Sequence, residues 1–258
     1  IRDYKVTGVQ TCALPIWSGA AYESTLLNIR ASTGATAAEM ERLRNASMTM
    51  SAAMGKGPTE IAGSFLELLK AGMSVEQVLG GAGKAALEFA AVGQMNVAEA
   101  AVVMSDAMNV FGVDASQAAN AISSAADASS TSIQLMSQSF SMVSAVAALA
   151  NQSIDDTSAA LAILANSGVK GSDAGTSLKT MLMRLMAPAE DGAKALEQIG
   201  LSTQAFRNAD GTMKPLVDMI GILNGALGNM DQAAKDDIFR RIFGQDAIRA
   251  AEIGRAHV

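Results

Sequence analysis

The sequence predicts a mainly α-helical protein, a multi-helix bundle or irregular helical stack, with one small β-hairpin near residues 205–214. Half of the 258 residues are hydrophobic, but only 4% are aromatic and 16 are methionine. A core of aliphatic residues and methionine is adaptable in its packing. Apolar residues recur at helical spacing, and helix-start signals return every 17 to 22 residues along the central part of the chain. These observations together favour consecutive short helices.

The first helices are predicted over residues 18–29 and 36–54. A third helix begins at Pro58 or Thr59, after a glycine-rich loop, and ends at Gly72. Its apolar side chains fall on one face at helical spacing. That face comprises Ile61, Phe65, Leu68 and Leu69.

Five later helices are each predicted to begin at a capping residue with an acidic or amide side chain three positions on. This spacing is typical of a capping box, in which the two residues satisfy each other's backbone N–H groups. The predicted pairs are Ser74 with Gln77, Asn96 with Glu99, Asp114 with Gln117, Thr131 with Gln134 and Ser153 with Asp156. Their spacing indicates one helix and turn per unit, but it is too irregular for a solenoid repeat.

The central stretch, residues 161–186, reads LAILANSGVKGSDAGTSLKTMLMRLM and predicts a helix, a sharp break and a second helix. Gly168 lies where a helix ending favours a residue at positive φ. Gly171 is predicted to break the chain again, and Ser172 to cap the second helix. That helix is predicted to bury Leu178, Met181, Leu182 and Leu185 on one face.

Ala174 and Gly175 leave little side chain in the first turn of this second helix. We therefore expect another backbone to approach closely there. Lys170 and Thr176 complete the motif, and Pro188 ends the helix.

The predicted helix 189–199 ends at Gly200, and the pattern then changes. The Asp210-Gly211 pair predicts the turn of the hairpin. Two more helices follow, and Gly244 is predicted to break the last of them.

A glycine-rich run at residues 80–85 is similar to a phosphate-binding loop, but Val78 replaces its first glycine and Ala85 its hydroxyl residue. Asn208 and Asp210 resemble part of a calcium loop, although its first and last ligand positions are apolar. We predict no metal and no cofactor.

The sequence also predicts no enzymatic activity. The single cysteine, Cys12, and the single histidine, His257, both lie near the ends. Paired carboxylates therefore lack a plausible acid–base partner. No G-x-S-x-G nucleophile elbow occurs. The net charge of −6 argues against binding to a nucleic-acid backbone. The longest apolar run, residues 159–165, is far shorter than the roughly 20 residues of a membrane span.

Three segments carry a family resemblance. They are LANSGVKGSDAGTSLKTMLMRL from Leu164, IGLSTQAFRNADGTMKPLVDMI from Ile199 and IFRRIFGQDAIRAA from Ile238. In sequence, order and spacing they resemble the phage tail tape measure, or minor tail, family. The structural motif transferred from this resemblance comprises Gly168, Lys170, Gly171, Ala174, Gly175, Thr176, Asp210, Gly211 and Gly244.

The resemblance implies a role in tail assembly, tail length determination and genome delivery. It implies a place in the lumen of the virion tail, and in the host cytoplasm during assembly. The implied partners are the tail tube protein, tail assembly chaperones and tail tip or baseplate proteins, with several copies together in the lumen. The alternative hypothesis is a helical interaction module of a secreted or surface protein.

Both ends resemble translated sequencing adapter, so we expect an internal fragment of a longer reading frame. The predicted divisions are 1–17, adapter-like; 18–71, leading helices; 72–187, the helical core with the tape-measure motif; 188–251, a helix, the hairpin and the C-terminal helices; and 252–258, adapter-like.

Overall fold

The computed structural model describes residues 9–228 and 230–256, with side-chain environments for 19–228 and 230–244. The described residues are predominantly helical, and none of them lies in a strand. The predicted mainly α fold is therefore confirmed. The predictions that concern Cys12, His257 and the two adapter-like ends fall on residues outside the described side chains.

The chain divides into two compact units, the first ending at Ser105 and the second beginning at Asp106. The helices of the first unit are α1 (Val9–Thr33), α2 (Ala37–Met54), α3 (Pro58–Lys70), α4 (Val75–Gln77) and α5 (Gly83–Gly93), with a π-helical segment, Val78–Ala82, between α4 and α5. Helix α6 (Val97–Phe111) runs from the first unit into the second.

Helix α3 lies at the centre of the first unit, where it packs against α1, α2 and α5. The predicted apolar face of α3 is confirmed, because all four of its side chains are buried. Phe65 is 1% exposed and also limits the space beside Gly83, where a β-carbon would lie 2.5 Å from its ring. The glycine-rich run at residues 80–85 thus lies in the π-helical segment and the start of α5, both packed within the first unit, and does not form an open loop.

The second unit continues with α7 (Ala115–Asp127), α8 (Ile133–Leu149), α9 (Ile154–Asn166), α10 (Gly171–Met186), α11 (Glu190–Gln198), α12 (Leu216–Leu227) and α13 (Gln232–Ala256). Helix α10 is its centre and packs against α8, α9 and α13. The predicted apolar face of α10 is confirmed, since its four side chains are each 2% exposed or less.

The predicted helix starts are mostly confirmed. Ser74 and Asp114 form complete capping boxes, and Ser153 accepts the N–H of Asp156 at 3.0 Å. Asn96 also lies at a helix start, but it accepts the N–H of Ala98 at 2.8 Å, one residue before its predicted partner Glu99. The prediction at Thr131 is wrong by one residue. There α7 is followed by a turn over residues 128–130, and the residue with the extended cap conformation is Ser132.

Several helix ends also follow the sequence. Gly34, Gly72, Gly112 and Gly200 all take positive φ at or just after a helix end. Gly244 has φ +73 and ψ −176 within α13, so the predicted break in the last helix is confirmed.

The predicted β-hairpin at 205–214 is wrong. The chain does reverse at the predicted turn, where Asn208 N–H donates to the Thr212 carbonyl at 2.8 Å. However, pairing is limited to one isolated bridge between Arg207 and Met213. The residues before this bridge form a 3₁₀ turn, Thr203–Phe206, and Pro215 after it has no N–H to pair. The segment is a bridged loop without strands.

Among the described residues, no single helix has both the length and the apolar composition needed to cross a membrane. One pair, Val75–Gly93 and Val97–Phe111, passes that test only when its two parts are joined, and they are bent by 117°.

Candidate functional site

The α9–α10 turn begins with a Schellman ending to α9. Gly168 has φ +90, and its N–H donates to the Ala165 carbonyl at 3.0 Å. The Val169 N–H donates to the Leu164 carbonyl, also at 3.0 Å. These two bonds satisfy carbonyls that the helix end would otherwise leave free. The predicted positive φ at Gly168 is confirmed, and it fixes the direction in which the chain leaves α9.

Replacing Gly168 by valine should lower the free energy of unfolding by more than about 1 kcal/mol, because a β-branched residue is strained at positive φ. A β-carbon there meets no atom within 4 Å, so the cost comes from the backbone alone. Gly168→Asn is the matched control and should cost less, since asparagine tolerates this conformation. Thermal unfolding followed by circular dichroism measures both. Equal melting of Gly168→Val and the parent would contradict the prediction.

The same turn is bonded to the turn between α7 and α8. The Ser130 N–H donates to Asn166 Oδ1 at 2.9 Å, and the Ser130 hydroxyl donates to the Ala165 carbonyl at 2.9 Å. Lys170 Nζ donates to the Ser130 carbonyl. We call Ser130, Ala165, Asn166 and Lys170 the turn clamp. Lys170 therefore has an internal partner, which explains a lysine within the motif without an external ligand.

Helix α10 starts two residues earlier than predicted. It begins at Gly171, with Lys170 in the cap position and no side-chain cap, so the prediction of Ser172 as N-cap is wrong. Gly171 has φ +61, which turns the chain before Ser172 is reached. The Gly171 carbonyl accepts a buried hydrogen bond from the Ser139 hydroxyl of α8 at 2.7 Å. The start of α10 is thus held by α8 rather than by its own cap.

Helices α8 and α10 approach each other closely at Gly175. A β-carbon at this position would be 2.2 Å from the Ser139 carbonyl oxygen and 2.7 Å from Met142 Cβ. Ala174 beside it is 1% exposed. The expected close backbone approach is confirmed. Thr176 is half-buried, and its carbonyl accepts the Thr180 hydroxyl at 2.9 Å.

Asp210 and Gly211 lie in the bridged loop. The Asp210 carboxylate accepts the hydroxyl and the N–H of Thr212 at 2.6 and 2.9 Å, and these bonds hold the pKa of Asp210 below its usual value. Gly211 has φ +86. The carboxylate is therefore used within its own turn. Among the described residues, no three His, Cys, Asp or Glu side chains lie together as metal ligands would.

Sequence reasoning missed Gln152, which connects the bridged loop to the α8–α9 turn. The side chain is 5% exposed, and its Oε1 accepts the Leu216 N–H at 2.7 Å. Its Nε2 donates to the carbonyls of Lys214 at 3.0 Å and Ala150 at 2.7 Å. No local pattern marks this glutamine, because two of its three partners lie 62 and 64 residues along the chain.

A groove also runs between α7 and α9, with a volume of about 910 Å³. We call it the α7–α9 groove. Nine of the twenty residues that line it are alanine or serine, among them Ala121, Ser124, Ala125, Ser158, Ala159 and Ala162. Ser158 is 3% exposed, and its hydroxyl has no hydrogen-bond partner among the residues that the structure describes. Sequence reasoning did not identify this groove, since alanine and serine in helices carry no distinctive signal.

The motif residues thus fall into separate places. Residues 168–176 lie together on the α8 side of the second unit, whereas Asp210 and Gly211 lie in the loop tied down by Gln152 and Gly244 lies within α13. The arrangement builds a scaffold and offers surfaces, one of which is the α7–α9 groove.

Comparison with known proteins gives a consistent result. A family model described as phage-related minor tail protein matches residues 44–244. The chain is 28% identical over 239 residues to a tape measure protein of Pneumococcus phage Dp-1, covering 92% of the chain and 20% of that protein. It is 24% identical over 221 residues to a probable tape measure protein of Escherichia phage P2, covering 84% of the chain and 27% of that protein.

The chain therefore spans between a fifth and about a quarter of the length of these relatives. No solved structure matches the chain significantly.

Proposed function

Because the chain belongs to the phage-related minor tail protein family, we propose that it is a folded docking region of a tape measure protein and not its length-measuring part. Family membership makes it a phage tail protein, which favours a tail role over a secreted or surface module. Setting tail length, delivering the genome and occupying the tail lumen are functions that we propose for the whole parent protein.

The observation that supports the docking proposal is the set of long-range contacts that hold the helices of the second unit together. A ruler made of extended helix would gain about 1.5 Å of length per residue. Here the chain folds back instead: the turn clamp joins two turns, and Gly175 lets α10 pack directly on the α8 backbone. Such long-range contacts support a compact body that presents surfaces to partners. We propose the tail tube protein, tail assembly chaperones and tail tip or baseplate proteins as those partners, and no catalysis.

An in-frame deletion of residues 74–187 in the parent phage tests this proposal. We expect loss of tails, or tails of erratic length, because the docking body would be destroyed. Electron microscopy of lysates measures tail number and length. Infectious particles with uniform tails shortened by about 1.5 Å per deleted residue would contradict docking and make this stretch part of the ruler.

A point variant separates the two roles more sharply, because it leaves the number of residues unchanged. Gly175→Leu in the parent protein should disrupt the second unit, since the site has no room for a side chain. A docking region predicts tail defects in this variant, whereas a ruler predicts normal lengths. Gly221→Ala is the control: it also replaces a helical glycine, but a β-carbon there meets nothing within 4 Å.

A further inference from the structure

A small apolar pocket lies between α9, α10 and α12, with a volume of about 70 Å³. We call it the α9–α12 pocket. Of the residues that line it, Leu164, Met181 and Leu216 are buried, whereas Ala159 and Val217 are exposed, Val217 by 60%. An apolar pocket with an exposed apolar edge is stabilised when another apolar group covers it and removes its surface from water. The pocket is therefore suited to receive part of another molecule.

The size and the lining of the α9–α12 pocket limit what it can hold. Sites for drug-sized ligands enclose about 300–1,000 Å³, which is far more than this pocket offers. Nine of its ten described lining residues are apolar, whereas a bound water molecule needs about two to four polar partners. A single aliphatic side chain is apolar and small, so it fits these conditions better than water or a large ligand does.

Two carboxylates border the pocket. Asp156 lines it, and Asp218 follows Val217 at its edge and is exposed. Each lies in the first turn of its helix, where the helix dipole favours a negative charge. Asp156 accepts the Ser153 hydroxyl at 2.7 Å, which leaves its charge in place. Neither carboxylate forms an ion pair with a lysine or arginine in the part of the chain that the structure describes.

The charge around the pocket specifies the occupant further. Lys214 lies with Asp218 in the groove that adjoins the pocket at Val217, but its Nζ donates to the Ala205 carbonyl at 3.0 Å. A partner with a lysine or arginine beside its apolar side chain would therefore meet complementary charge, whereas an acidic partner would be repelled. The net charge of −6 attracts the same basic partner at longer range.

We propose that the α9–α12 pocket binds a protein segment that inserts one aliphatic side chain and places lysine or arginine beside it. The aliphatic side chain is the central anchor of the contact, and the basic residues face Asp156 and Asp218. This inference rests on the docking function proposed above and adds the surface used and the chemistry of the partner. It can fail alone, because the phage deletion and Gly175→Leu test the folded body and leave open which surface binds.

Fluorescence anisotropy with the purified full chain tests the pocket. The probe is a labelled, alanine-based helical peptide of about 16 residues, with one central leucine and lysines three and four positions to either side on the same face. One control peptide has serine in place of leucine, and another has glutamate in place of lysine. We expect the probe to bind at least fivefold more tightly than either control. Equal binding of the serine peptide or of the glutamate peptide would overturn the proposal.

Variants of the chain locate the contact. Val217→Ser should weaken probe binding at least fivefold, whereas Leu149→Ser, which removes a 76% exposed side chain outside the pocket, should not. Asp218→Asn should weaken binding at least threefold; Asp173→Asn is its matched control, because it removes the same charge from the first turn of α10. All four parent residues are exposed, so folding should be preserved, and circular dichroism checks this. Undiminished binding by Val217→Ser or Asp218→Asn, or an equal loss in either control, would contradict the proposed contact.

Discussion

Replacing Gly175 by leucine is expected to lower the free energy of unfolding of the second unit by more than about 3 kcal/mol, above the usual cost of overpacking of about 1–3 kcal/mol. The reason is geometric: even a β-carbon would lie 2.2 Å from the Ser139 carbonyl oxygen. A flexible neighbour could move aside, but this atom belongs to the α8 backbone. Thermal and urea unfolding followed by circular dichroism measure the loss.

Two alanine variants serve as comparisons for Gly175→Leu. Gly175→Ala should also destabilise the second unit, because the added β-carbon alone would clash with the Ser139 carbonyl oxygen. Gly221→Ala makes the same change in the interior of α12, where the space is open, and should be neutral or stabilising by up to about 1 kcal/mol. If Gly175→Leu unfolds at the same temperature and urea concentration as the parent, α8 and α10 do not pack as described.

Replacing Gln152 by leucine is expected to cost about 3 kcal/mol, because a buried donor or acceptor left unpaired costs about 1–3 kcal/mol. The variant removes the partner of the Leu216 N–H and of the Lys214 carbonyl together. The bridged loop and the start of α12 would then lose the two bonds that Gln152 makes to them, and the longer bond from Asn151 Nδ2 to the Met213 carbonyl, at 3.4 Å, would remain.

Calorimetry measures the loss, and limited proteolysis should show earlier cleavage within residues 203–215 than in the parent. Gln134→Leu is the matched control, since that glutamine is exposed on α8 and the change should stay within about 0.5 kcal/mol. Equal effects of the two substitutions would show that the buried bonds of Gln152 contribute nothing.

Helix boundaries in this chain are predictable because they are encoded locally. Ser74 and Asp114 carry their capping partners three residues away, and Gly168 adopts the positive φ that the end of α9 requires. The sequence predicts the N-cap of α8 at Thr131, but the cap lies one residue later, and the reason is a tertiary contact. The turn before α8 is fixed by Asn166, 36 residues later, which no local pattern reveals.

The β-hairpin shows the same limit more clearly. Asp210 and Gly211 do reverse the chain, so the local turn signal is correct. Whether strands follow depends on what the flanking residues bind. Here the Lys214 carbonyl is taken by Gln152, a partner distant in the sequence. For the same reason the sequence predicts a close approach at Gly175 but not its partner, Ser139.

The turn clamp has a consequence for amide hydrogen exchange. Ser130 lies in an exposed turn, where a backbone amide would normally exchange rapidly with deuterium in the solvent. Its N–H is bonded to Asn166 Oδ1 at 2.9 Å, so it exchanges only when that bond opens. The exchange rate of this one amide therefore reports the opening of the turn clamp at Ser130 and Asn166, and comparison with the helix amides would show whether a tail protein loosens the clamp before any helix melts.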